Sequence, residues 1–157
     1  DYTSSSQASF IALSQAEEFW NLEFKNVCQL MANCPLRDSK DIQNSFQNFI
    51  KSESDSQISC FKYGWMNPWW AFELKNNDTF HEIFKTKINN RSQDLPPLYC
   101  PTGAIWIAKV SNFLSEKNFR MKNYKYQPIN WISAIDIDNK EDFLMAKALF
   151  KIKEDFK

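Results

Sequence analysis

The spacing of apolar residues along the chain predicts strands alternating with helices. Residues 5–20 carry Phe10, Leu13 and Trp20 roughly on one side of a helix. Val27 to Ala32 is a short apolar run of strand length. Residues 39–51 form the clearest amphipathic helix, with Ile42, Phe46, Phe49 and Ile50 at i, i+4, i+7 and i+8. Asp38 or Ser39 can cap its start, and Lys51 suits its last turn. Asp55 to Tyr63 alternates as a second strand, with Ile58, Cys60 and Lys62 opposite Ser59 and Phe61. Gly103 to Ala108 predicts a third strand and residues 109–117 a short helix. Trp131 to Ile137 predicts a fourth strand, and residues 139–153 a closing helix. Such alternation implies an α/β fold with a mostly parallel sheet.

Residues 64–98 break this rhythm. They hold Trp65, Pro68, Trp69, Trp70, Phe72, Phe80, Phe84, Pro96 and Pro97 without a clear period. So dense an aromatic stretch implies an excursion from the main sheet that packs on another subunit. No internal repeat or low-complexity linker divides the rest, so the 157 residues read as one domain.

Composition excludes several classes of function. The chain is 43% apolar and 24% charged, which argues against wholesale disorder. No apolar run reaches the roughly 20 residues of a membrane helix, so no membrane partner is expected. The net charge is zero, and the basic excess of residues 61–157 is too sparse for a nucleic-acid groove. That excess includes Lys85, Lys87, Arg91, Lys117, Arg120, Lys122 and Lys125, which reads as a solvated surface or as a contact for an acidic small molecule. The four cysteines form no C-x-x-C pair, and His81 is the only histidine, so zinc and Cys–His catalysis lack support. Scattered thiols of this kind suit a reduced cytoplasm.

Three segments carry chemistry. In Ser133-Ala-Ile-Asp136-Ile-Asp138-Asn-Lys-Glu141-Asp142-Phe143, a strand would point Asp136 and Asp138 the same way. Two carboxylates at a strand end suit Mg²⁺ together with phosphate oxygens. The competing reading makes Asp138 and Glu141 a capping box for the last helix. In Leu30-Met31-Ala32-Asn33-Cys34-Pro35-Leu36-Arg37-Asp38, a turn between strand and helix places Arg37 where an acidic ligand could bind, although Pro35 and Leu36 also suit a purely structural turn. In Gln93-Asp94-Leu95-Pro96-Pro97-Leu98-Tyr99-Cys100-Pro101-Thr102-Gly103-Ala104-Ile105-Trp106-Ile107, Gly103 is one of only two glycines. A residue so rare marks a position that rejects a Cβ or is closely approached by a ligand.

Together and in this order, the segments resemble the acylneuraminate cytidylyltransferases, or CMP-sialic acid synthetases. That family carries Leu-Gln-Pro-Thr-Ser-Pro-Leu-Arg, matched by Leu30 to Arg37. It carries Arg-Gln-x-Leu-Pro followed by Asn-Gly-Ala-Ile-Tyr, matched by Gln93, Leu95, Pro96 and Gly103 to Ile105. It ends on Asp-Ile-Asp-x-x-x-Asp before a last helix, matched from Asp136. The resemblance implies the Rossmann-like fold of nucleotide-diphospho-sugar transferases, present incompletely, with residues 64–98 as an inserted dimerisation arm. It implies transfer of CMP from CTP to a nonulosonic, sialic-acid-like sugar with release of pyrophosphate, in a cytoplasmic homodimer. Asp136 and Asp138 would be catalytic, holding Mg²⁺, and Arg37, Arg91, Gln93, Thr102, Gly103 and Phe119 would line the substrates.

The chain also departs from the pattern. Met31 stands where the family has a glutamine that contacts sugar, and Ala32-Asn33-Cys34 replaces Pro-Thr-Ser. Ser92 replaces the arm arginine beside Arg91, Thr102 an asparagine, and Trp106 a tyrosine. These changes fall on the sugar side and imply a sialic-acid relative, such as a legionaminic-type acceptor. The family's Gly-Ser-Lys phosphate loop has no counterpart, so the chain reads as the C-terminal two-thirds of such an enzyme, inactive alone. A non-catalytic dimerisation or sugar-binding module of the same fold is the alternative.

Overall fold

The computed structural model describes residues 3–75 and 79–155, so residues 76–78 of the expected arm lie outside the description. Those residues form two compact units, Asp1–Phe61 with Pro101–Lys157, and Lys62–Cys100.

The first unit opens with helix α1 (Ser5–Trp20), where Ser4 caps the start and Asn21 ends the helix in a left-handed conformation at φ 50°. Strand β1 (Asn26–Gln29) follows, then α2 (Ser39–Lys51) and β2 (Ser56–Lys62). After the second unit come β5 (Tyr99–Lys109), α3 (Val110–Glu116), β6 (Tyr124–Pro128) and α4 (Lys140–Asp155). The sheet order is β1-β5-β2-β6.

The sheet is mixed rather than mostly parallel. β1 runs antiparallel to β5, with Val27 opposite Ala108, and only β2 and β6 pair in parallel. β2 and β5 are antiparallel too, because Lys109 N bonds Asp55 O at one end while Tyr63 N bonds Leu98 O at the other. Alternation of helices with apolar runs cannot reveal direction, because the excursion between β2 and β5 lets the chain return the opposite way.

Trp131 to Ile137 is not a strand. Its first four residues turn, with Ala134 N bonded to Asn130 O and Trp131 O. The edge strand is instead β6, whose Tyr-Lys-Tyr-Gln-Pro sequence carries too little aliphatic signal to stand out. Nor does β2 alternate. It lies between β5 and β6, so Ser56 through Cys60 are buried on both faces.

β5 sends alternate residues to two apolar clusters. Ala108 joins Leu13, Ile58, Phe113 and Phe119, with Trp106 packed alongside, while Ile105 and Ile107 join Cys34 and Phe49. Each fully buried Phe or Ile stabilises the unit by about 1.5–3 kcal/mol. The polar residues of β2 are wired to their neighbours. Ser56 donates to Phe119 O, Gln57 to Ser45 O, and Ser59 to Thr102 O.

The second unit holds a turn at Pro68–Trp70 and an antiparallel hairpin of β3 (Phe72–Leu74) and β4 (Phe80–Glu82). Trp69 donates from its indole to Pro96 O at 2.8 Å and packs edge-on against Phe84. Trp70 donates to Asn90 O. The hairpin and its approach leave Trp65, Phe72, Leu74 and Phe80 exposed, Trp65 by 83%.

The start of α2 gives a direct stability test. Asp38 accepts from Asp41 N and Asp41 returns the bond to Asp38 N, a reciprocal cap. Lys153 of α4 reaches the same carboxylate at 2.9 Å and also donates to Leu36 O. The Lys153 hydrogen bond, aided by that from Asp41, lowers the Asp38 pKa below the ordinary carboxylate value. Its stabilisation is therefore present above the unfolded pKa and lost as pH falls through the depressed one. Asp38→Ala should cost about 1 kcal/mol at neutral pH, the usual worth of such a cap. The gap to wild type should narrow towards about pH 3, below the unperturbed Asp value. Urea unfolding at the two pH values checks this, and a gap independent of pH contradicts it.

Candidate functional site

The three chemistry-bearing segments meet in the first unit at the start of β5. Thr102 and Gly103 are both buried there, and the Thr102 carbonyl accepts from Ser59 Oγ at 3.0 Å and from Trp106 Nε1 at 2.7 Å. The Thr102 hydroxyl points the other way. It donates to Ala134 O at 3.0 Å and accepts from Ala104 N at 3.3 Å. Three residues beyond Ala134, Ile137 N donates to Asn33 O at 2.9 Å. The stretch carrying Asp136 is thus tied to β5 on one side and to the 30–37 turn on the other.

That turn is shaped from within. Arg37 donates from one terminal nitrogen to both Met31 O and Cys34 O, each at 2.6 Å. This nitrogen closes the turn; the structure does not aim it at a ligand. Met31 in turn lies on Gly103, with its backbone N–H bonded to Gly103 O. A Cβ at Gly103 would run into Met31 Sδ and lie 3.0 Å from Cγ and 3.3 Å from Cβ. The rarity of glycine therefore has a packing cause here, and Met31 occupies the space.

Cys34 has no exposed surface. Its thiol lies 3.8 Å from Asp136 Oδ1 and 3.9 Å from Thr102 Oγ1. Burial first, then the Asp136 charge, push the thiol pKa up. Asp136 is also raised, by partial desolvation and then by the charge of Asp138, against hydrogen bonds from Cys34 and Asn33. Both aspartates are exposed residues of one loop, and they repel each other.

The cap of α4 is not the one the sequence suggested. Asn139 Oδ1 accepts from Glu141 N and Asp142 N, while Asp142 Oδ2 accepts from Asn139 N and Asp138 N. Asn139 and Asp142 thus form the capping pair, and the Asp138 carboxylate is not part of it. The spacing Asn-x-x-Asp carried that signal in the sequence. Among the described residues no group of three or more His, Cys, Asp or Glu side chains is arranged to hold a metal ion. Two mutually repelling carboxylates nonetheless fit Mg²⁺, which is usually held by one or two carboxylates with phosphate oxygens completing its shell.

Phe119 sits inside the core with no exposed surface, against Phe113 and Trp106. Arg91 and Gln93 belong to the second unit and are exposed, and Arg91 is paired with Asp94 at 2.8 Å. Clefts of about 540 and 400 Å³ border α2. Neither is lined by Asp136 or Asp138, which are exposed residues. Ser59 and Asn33 organise this region without a signal in the sequence, because hydroxyl and carbonyl contacts across elements leave no periodic trace.

No protein-family model matches the chain. Among curated proteins it is 28% identical over 145 residues to the post-translational flagellin modification protein B of Campylobacter coli, covering 90% of this chain and 60% of that protein. It is 30% identical over 116 residues to the N-acylneuraminate cytidylyltransferase of Streptococcus agalactiae, covering 73% of the chain and 28% of that protein. It is 28% identical over 162 aligned positions to the pseudaminic acid cytidylyltransferase of Campylobacter jejuni, covering 99% and 66% respectively. Over most of its length the chain is thus similar to cytidylyltransferases named for acylneuraminic and pseudaminic acids. It spans about 60% of the length of the Campylobacter coli relative. Among the described residues, no helix is long and apolar enough to cross a membrane.

The contact between Met31 and Gly103 yields a second prediction. Gly103→Ala should destabilise the chain by about 1–3 kcal/mol, the usual cost of overpacking. Adding Met31→Ala should recover part of that loss, a coupling that a double-mutant cycle in urea measures directly. Strict additivity would show that the two residues do not compete for one space.

Proposed function

We propose that the chain serves a CTP-dependent cytidylyltransferase that activates a nonulosonic acid to its CMP-sugar. The sugar's anomeric oxygen attacks the α-phosphorus of CTP, forming one P–O bond as the bond to pyrophosphate breaks, and the hydroxyl proton passes to solvent or a base. The observation that carries this reading is the meeting of the three family segments around Asp136, made by Thr102, Asn33 and Cys34. Asp136 and Asp138 would hold Mg²⁺. Bound there, the ion supplies charge neutralisation on the phosphate oxygens.

The chain's own residues give the site its shape. Arg37 fixes the turn that borders the aspartates, and Met31 fills the space over Gly103, at the position where the resembled sequence pattern carries a glutamine. An apolar side chain there favours an acceptor that needs no hydrogen bond at that position, in line with a sialic-acid relative rather than sialic acid itself. Within the second unit, Arg91 and Gln93 are the residues proposed to contact an acidic sugar. That unit is also the proposed dimerisation arm. Its exposed Trp65, Phe72, Leu74 and Phe80 are apolar surface that a second copy would cover.

In an enzyme that carries a phosphate loop together with this segment, Asp136→Asn and Asp138→Asn should each lower kcat by about 10² or more. Steady-state pyrophosphate release at saturating Mg²⁺ checks this, and wild-type turnover in both variants would reduce the pair to a surface feature. Two glycines among 157 residues are too few to line a phosphate loop, so the chain by itself should release no pyrophosphate from CTP with any nonulosonic acid. Light scattering of the chain at micromolar concentration should give a dimer, and a monodisperse monomer would refute the arm.

A further inference from the structure

Asp136 lies in a stretch without helix or ladder bonds, yet two hydrogen bonds from other elements bracket it. One runs from the Thr102 hydroxyl to Ala134 O at 3.0 Å, and the other from Ile137 N to Asn33 O at 2.9 Å. Thr102 is itself held on three further sides. Its carbonyl accepts from Ser59 and Trp106, and its hydroxyl accepts from Ala104 N. All the polar atoms of this buried threonine's side chain and carbonyl are therefore engaged within the protein, which leaves little for a substrate. Beneath the bracket lies Cys34, fully enclosed and within 4 Å of both Thr102 Oγ1 and Asp136 Oδ1.

We infer that Thr102 is a positioning residue: its hydroxyl latches the 134–137 stretch to β5 against Cys34 and so fixes where the Asp136 carboxylate stands. The link to metal rests on the reading of Asp136 as a ligand; the latch itself does not. A hydroxyl is required because only a donor can reach the Ala134 carbonyl, which valine, of the same shape, cannot do.

The test uses the full chain and the cysteines it already has. Cys28 is exposed and reports reagent activity, while Cys60 is buried in β2 and reports global opening. Cys34 reports the latch. Alkylation followed by peptide mapping should show Cys34 reacting about tenfold faster in Thr102→Val, the factor carried by one lost hydrogen bond of ordinary strength. Thr102→Ser should restore the slow rate, and Cys60 should be unchanged throughout. An unchanged Cys34 rate in Thr102→Val would overturn the latch.

Should the valine variant not fold, hydrogen exchange on the wild-type chain decides. The Ile137 amide should be protected well beyond an open loop, and loop-like exchange there would overturn the proposal. A Mn²⁺ titration followed by its electron paramagnetic resonance signal separates the two layers. Thr102→Val should weaken Mn²⁺ binding about tenfold or more, as loss of outer-shell support does, with Thr102→Ser near wild type. If Asp136→Asn leaves Mn²⁺ binding unchanged while Cys34 still accelerates in Thr102→Val, the metal reading falls and the latch stands. If Asp136→Asn abolishes binding while Thr102→Val changes neither readout, the latch falls and the metal reading stands.

Discussion

The placement of the acidic loop depends on one buried threonine. From Trp131 to Asp138 the chain turns without joining the sheet, so no ladder of backbone bonds sets its course. The Thr102 hydroxyl on Ala134 O and the Asn33 carbonyl on Ile137 N supply what a strand would have supplied. Each bond is worth only about 1 kcal/mol net, but leaving a buried partner unmade costs about 1–3 kcal/mol. The pair therefore selects a conformation more than it adds stability. The dependence runs inward from there, since Ser59 of β2 holds the Thr102 carbonyl and also receives Ile105 N.

The same region shows how packing and electrostatics divide the work. On the packing side, Gly103 admits Met31, and Arg37 ties Met31 and Cys34 into one turn. Lys153 extends the tie by joining α4 to Leu36 and Asp38, so the helix that follows the acidic loop also holds the turn that precedes α2. On the electrostatic side, Asp136 and Asp138 oppose each other's charge, and the cap of α4 uses Asp142 instead of either. A carboxylate pair left in mutual repulsion at an exposed loop is an arrangement that a divalent cation relieves.

Much of the fold was legible in the sequence. The amphipathic period of residues 39–51 and the Asp38 cap reproduce α2 to the residue, because a short helix with a clean face and a strong cap depends on local chemistry. Strand direction was not legible, since hydrophobic runs read the same forwards and backwards. Trp131 to Ile137 misled because its apolar residues pack as a turn, while β6 hid behind tyrosines and a lysine. At the candidate site, the aspartates and the turn were singled out by their motif. The roles of Thr102, Arg37 and Phe119 were not, because a side chain that bonds or packs inward looks in sequence like one that faces a ligand. Only their burial and partners separate the two.

The account stands most directly on where a divalent cation binds. Anomalous diffraction from crystals of this chain soaked in Mn²⁺ locates the ion without reference to activity. The account predicts a peak shared by the Asp136 and Asp138 carboxylates, with Thr102 still bonded to Ala134. Manganese bound at other carboxylates, with none between Asp136 and Asp138, would contradict it.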